Sequence, residues 1–268
     1  MIHSMDVIAT PLSKILLSTL VVSLIGLTGG VLLLLKEDFT RRWSSLLISF
    51  SAGAILSATF FDLFPGALEH PNANINTILT SALLGIIVFF ALERLLIWHH
   101  HAHEDESHRH TNIFNSPLAN VRPLIIIGDT LHNMLDGAII AIAFITDTRL
   151  GIITSLAVLA HEIPQEIGDF SILLSSGLSR KRVLFWNAFS ALAALVGAIG
   201  LYLARQQFEY IELPILGFVI GNFIYIALAD LLPTIQHERK VRSPVFHISL
   251  IIIGAWIIWF IGKIIPEG

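Results

Sequence analysis

Eight apolar blocks of about 20 residues, separated by short polar pieces, constrain this chain more than any other feature. They lie at about 13–35, 43–64, 75–98, 123–146, 150–177, 183–205, 213–235 and 244–265. At 1.5 Å of rise per residue, each is long enough as a helix to cross roughly 30 Å of hydrocarbon. The composition agrees: 54% of the 268 residues are apolar and 13% charged, with a mean hydropathy of +0.77. Those values exclude an ordinary soluble domain. The expected fold is all-α, a polytopic membrane protein with eight transmembrane helices forming a single transmembrane domain over residues 1–268. A net charge of −4 gives no reason to expect a nucleic-acid partner, and the lipid bilayer is the expected surrounding. The opening residues carry neither a basic n-region nor a small-residue cleavage site, so no removable signal peptide is expected.

An even number of spans puts both termini on one side. The 16 Lys and Arg sort onto alternate loops, with only Lys14, Arg149, Arg205 and Lys263 on the minority side. The positive-inside rule therefore predicts both termini outside and the 99–122 loop in the cytoplasm. Short loops and the lack of a targeting signal favour a prokaryotic cytoplasmic membrane. Within the 99–122 loop, HHHAHEDESHRH holds half of the 12 histidines. Such a stretch cannot build a core, and its clustered imidazoles suit a low-affinity metal-collecting role.

Spans four and five are unusual because they are acidic. Between Pro123 and Gly177 the only basic side chain is Arg149, in the connecting turn, against Asp129, Asp136, Glu162, Glu166 and Asp169. An ionised group at membrane depth costs several kcal/mol unless paired, so these acids need a compensating cation, protons or water. The absence of cysteine excludes a thiolate site and leaves His, carboxylate and amide donors. His132 and Asp136, His161 and Gln165, and Glu162 and Glu166 are each spaced i,i+4, so each pair shares a helix face.

The short connection makes the two spans an antiparallel hairpin turning near Thr146 and Asp147. His132 and His161 then lie at equal depth, about 20 Å from the turn. Two imidazoles with carboxylates suit zinc, and also iron or manganese, with Asn133 and Gln165 as neutral oxygen donors. Pro164 removes one helical hydrogen bond and frees the carbonyl of Ala160, a mark of a bent helix beside a substrate. Asp129 and Asp169 divide between supporting or proton-relay roles and helix-end contacts with water. Asp62 and Asp230 are weaker candidates for an ion entrance, since solvation at the interface explains both.

GDTLHNMLDG in span four and HEIPQEIGDF in span five resemble the paired signatures of the ZIP (Zrt/Irt-like) divalent metal transporters. GNFIYIALADLLP in span seven and the His-rich loop also resemble that family. The resemblance implies inverted three-helix repeats flanking helices four and five, a binuclear metal site between those two helices, and a homodimer. It further implies an elevator-like motion of spans one, four, five and six against the rest. By matching positions it implies one site of His132, Asp136, His161 and Gln165, and a second of Asn133, Glu162 and Glu166. The fullest form of the span-five motif, H-E-x-P-H-E, has His where this chain has Gln165.

The resulting expectation is a transporter that moves divalent metal, foremost zinc and also iron, manganese or cadmium, into the cytoplasm. The metal is its substrate; no cofactor and no catalytic residue is expected. The rival from another class is an intramembrane zinc metalloprotease, because HEIPQ is similar to H-E-x-x-H and NMLDG to the third-ligand segment of such enzymes. Gln165 in place of the second histidine, Pro164 inside the motif and the reversed order of the two segments count against it.

Overall fold

The computed structural model describes residues 11–35, 37–101, 122–208, 211–237 and 244–265, and among them no strand occurs. Eight rods follow in order. These are α1 (Pro11–Leu35), α2 (Glu37–Ala58, continuing through Thr59–Leu63 and Phe64–Glu69), α3 (Ile75–His101), α4 (Arg122–Thr146), α5 (Thr148–Ser175), α6 (Arg180–Phe208), α7 (Glu212–Tyr225, continuing through Ile226–Leu231 and Leu232–His237) and α8 (Pro244–Ile264). Each expected span is present. Six of these helices are long and apolar enough on that ground alone to cross a membrane. The apolar helix Ile75–Ala91 in α3 is shorter, and α5 is diluted by its acids. The third span runs further than expected, taking His99 to His101 into α3. The remainder of the histidine tract, from Ala102 to His110, lies outside the described residues.

The molecule is apolar outside as well as inside. Ile139, Ile140, Ala143, Ile153, Ala157 and Val158 of the α4–α5 hairpin are buried, whereas Leu83, Ile252 and Trp256 of α3 and α8 point outward, more than half exposed. An apolar exterior of this extent belongs in lipid. The chain is an integral membrane protein.

Short-range chemistry sets the ends of α5. Asp147 sits in extended conformation before the first turn, and its side chain accepts a 3.0 Å hydrogen bond from the Leu150 amide. That is a helix N-cap. At the other end Gly177 adopts φ 88°; its N–H bonds the Leu174 carbonyl at 2.9 Å, and the Leu178 N–H reaches Leu173 at 3.3 Å. This pair of bonds closes the helix as a Schellman turn, for which glycine's lack of a Cβ is required.

The two halves of the chain repeat a device. In α2, Asp62-Leu63-Phe64-Pro65 carries a π-turn at Thr59–Leu63; in α7, Asp230-Leu231-Leu232-Pro233 carries one at Ile226–Leu231. The proline in each lacks the N–H that an α-turn needs, and the wider turn absorbs the missing bond. Gly53 and Gly221 precede these sequences by the same interval. A Cβ on Gly53 would fall 1.9 Å from the Ile251 carbonyl oxygen of α8, and one on Gly221 would fall 1.9 Å from the Ala82 carbonyl oxygen of α3. So α2 grips α8 as α7 grips α3, which is the pairing expected of inverted three-helix repeats. A second set of close approaches joins α4 to α6 at Gly137 and Gly197, and α1 to α5 at Gly29. Backbones can approach this closely in lipid only where side chains are small.

Candidate metal centre

The antiparallel α4–α5 hairpin brings His132, Asp136, His161 and Glu162 together, one donor atom of each lying within 4.8 Å of the others. His132 Nε2 stands 3.3 Å from His161 Nε2, 3.7 Å from Asp136 Oδ2 and 3.8 Å from Glu162 Oε1. His161 Nε2 is 3.2 Å from Asp136 Oδ2. Zinc bonds of 2.0 to 2.2 Å in a tetrahedron separate neighbouring donors by about 3.4 Å. The four observed edges bracket that length.

His161 is oriented for such a role. Its Nδ1 lies 3.2 Å from the Ala157 carbonyl oxygen, one turn back on α5. A carbonyl can only accept, so Nδ1 carries the proton and the Nε2 lone pair faces His132 and Asp136. The two rings meet edge to face at 81° with centroids 5.5 Å apart. Asp136, His161 and Glu162 are all at most 3% exposed. Among the described residues, neither carboxylate oxygen of Asp136 nor Oε1 of Glu162 makes a geometrically sound hydrogen bond. Carboxylates buried without partners are costly, and a divalent cation among them relieves that cost.

The other candidates are distributed around this centre. Asn133 is buried and turns its amide nitrogen to Asp129, 2.7 Å from Oδ1 and 3.1 Å from the backbone oxygen, with Ser190 of α6 at 3.4 Å. This leaves the Asn133 carbonyl oxygen as its donor toward a cation. Glu166, one turn beyond Glu162, is buried with Oε2 unpartnered. Gln165 is half-buried one turn beyond His161, and Asp169 is half-buried near the end of α5. Asp62 is not solvated at an interface: it is buried and pairs with Arg149 at 3.4 Å. The side chain of Asp230 lies outside the described residues.

Three contributors escaped the sequence reading. Ser190 reaches the site from α6, a span that contains no Asp, Glu or His. Gly26 of α1 makes room for Glu162, since a Cβ there would stand 3.2 Å from the Glu162 Cβ. Ser51 of α2 places its hydroxyl against the Ala160 carbonyl that Pro164 leaves without a helical donor. Polar and small residues inside apolar spans were the available signal; their facing partners were not.

Fold and centre together define a polytopic helical membrane protein with a buried cluster of two histidines and two carboxylates. Residues 99–262 match the family model described as ZIP zinc transporter, and the chain belongs to that family. The family is one of transporters, not of enzymes. Among curated relatives, human zinc transporter ZIP10 is 37% identical over 142 residues, covering 52% of this chain and 17% of the relative. Mouse zinc transporter ZIP4 is 41% identical over 135 residues, covering 50% and 20%. Human zinc transporter ZIP6 is 36% identical over 139 residues, covering 52% and 18%. The matched part of the chain thus spans about a fifth of the length of these relatives.

Proposed function

We propose that the protein carries divalent metal ions, foremost zinc, across a membrane into the cytoplasm through the α4–α5 centre. The observation that supports it best is the set of 3.2 to 3.8 Å edges among two imidazoles and two carboxylates, buried with unpartnered oxygens. His132, Asp136, His161 and Glu162 replace the ion's hydration shell, with Gln165 a turn away as a neutral oxygen donor. Glu162, Glu166 and the Asn133 oxygen form a second, adjoining position, which makes the site binuclear.

The helix pairing fits a relative motion. The glycine contacts join α1 to α5 and α4 to α6, and separately α2 to α8 and α3 to α7. The centre lies wholly within the first group, so sliding that group against the second carries the site from one side to the other without dismantling it. The loop charges orient the chain with both termini outside and the end bearing Arg122 and Arg180 in the cytoplasm. Short loops point to a prokaryotic cytoplasmic membrane, whereas the relatives named above are vertebrate proteins.

The test is zinc uptake by sealed proteoliposomes. His132→Ala, Asp136→Ala and His161→Ala each abolish nearly all uptake while the protein remains folded in the membrane. Uptake at the parent rate by any of the three removes that residue from the ligand set.

A further inference from the structure

A cleft of about 490 Å³ opens between α4 and α6 at the end of the bundle where both helices begin. Its walls are Ile126 and Ile127 of α4, Trp186 and Phe189 of α6, and Leu178 of the preceding turn; Arg122 stands at its mouth. The shape has a cause. At their far halves the two helices touch backbone to backbone, since a Cβ on Gly137 would fall 1.8 Å from the Ala194 carbonyl oxygen and one on Gly197 1.8 Å from that of Met134. Toward their N-termini the bulky walls hold them apart. The result is a wedge open to the lipid face, where Ile127 is 55% and Phe189 52% exposed.

Charge marks only the rim. The Arg122 guanidinium is held in place, its Nε donating to Ser176 Oγ at 3.0 Å and its Nη2 to the Ser176 carbonyl. A guanidinium has five N–H groups, so three remain for a ligand. Arg180, Lys181 and Arg182 are exposed at the start of α6, the helix that carries Trp186 and Phe189, and among the described residues no carboxylate lines the cleft. Trp186, in edge contact with Phe185 and Phe189 at centroid distances of 5.3 and 5.9 Å, gives the wall the amphipathic aromatic character of a membrane interface. From Arg122 to Leu131 the lining extends about 14 Å along α4 into the hydrocarbon.

We infer that this cleft binds an anionic glycerophospholipid of the leaflet at the basic end of the bundle. The phosphate meets Arg122 and the Arg180 to Arg182 run, and one acyl chain fills the wedge. Basic clusters of this kind beside membrane helices attract anionic headgroups, and the apolar wall makes a soluble anion a poor occupant.

The experiment is native mass spectrometry of the purified full chain. The detergent contains equal amounts of phosphatidylglycerol and phosphatidylcholine with matched acyl chains. The parent retains phosphatidylglycerol preferentially. Arg122→Gln lowers that retention roughly tenfold, by loss of a charge-assisted bidentate contact. Ile127→Trp, which touches no polar group, lowers it similarly by filling the wedge. Parent-level retention in Ile127→Trp, or no preference for the anionic lipid in the parent, overturns the inference. A disulfide between two copies through a single cysteine at Phe189, formed in phosphatidylglycerol bilayers, also overturns it and assigns the cleft to a second copy of the chain.

Discussion

The Ser51 hydroxyl of α2 sits against the Ala160 carbonyl of α5, the one acceptor in that helix that Pro164 deprives of its i+4 donor. Ser51 also lies 2.8 Å from the Leu47 carbonyl in its own helix, so its single proton serves one acceptor at a time. The contact joins the helix group that carries the candidate metal centre to the group that does not. Asp62 and Arg149, paired at 3.4 Å near the other end of the same two helices, make a second such contact.

Ser51→Ala leaves the partly buried Ala160 carbonyl without that donor, at a cost of about 1 kcal/mol, the low end for an unsatisfied group. Pro164→Ala restores the helical N–H, so Ser51→Ala costs less in that background. Denaturant unfolding of the two single variants and the double variant reads the coupling, and additive effects contradict the assignment.

Asp62→Asn removes the carboxylate paired with Arg149, which is only about one-fifth exposed, and destabilises by roughly 3 kcal/mol, the low end for a broken buried pair. Asp62→Asn combined with Arg149→Gln is less destabilised than Asp62→Asn alone. Thermal unfolding in detergent checks the order, and a double variant weaker than the single one would refute it.

Gln165→His adds an imidazole one turn beyond His161. Borderline-soft zinc prefers imidazole nitrogen to amide oxygen more strongly than manganese does. Zinc binding therefore tightens and the manganese to zinc uptake ratio falls several-fold. An unchanged ratio in competitive uptake places Gln165 outside the ion's contacts.

Gly197→Ala touches no ligand, yet its Cβ would fall 1.8 Å from the Met134 carbonyl oxygen in the helix that carries His132 and Asp136. Relieving that overlap pushes α4 away from α6 and disturbs the donor edges, so zinc uptake falls by roughly tenfold, the loss expected when ligands leave their productive geometry. Parent-level uptake would show that α4 and α6 separate freely.

With no native cysteine to interfere, single cysteines report orientation. A cysteine at exposed Asn74 reacts with an impermeant thiol reagent applied outside, and one at exposed Ser179 resists it. The opposite pattern inverts the proposed direction.

The number of spans, the hairpin of α4 and α5 and the equal depth of His132 and His161 follow from local properties: run length, 1.5 Å of rise and i,i+4 spacing are written in the chain itself. The same reasoning marked Ala160 as a carbonyl in need of a donor, but could not supply Ser51, which is remote in sequence. Position near the end of a span assigns Asp62 to interfacial water, whereas folding brings Arg149 to it. Ser190 beside Asn133, and the wedge between α4 and α6, depend on how each helix is rotated and how near its neighbour stands. Those quantities are decided by where glycines let two backbones touch, as at Gly137 and Gly197, and where Trp186 and Phe189 keep them apart. Hydropathy and period are sums over one helix; rotation and separation are properties of a pair, and only the packed bundle selects them.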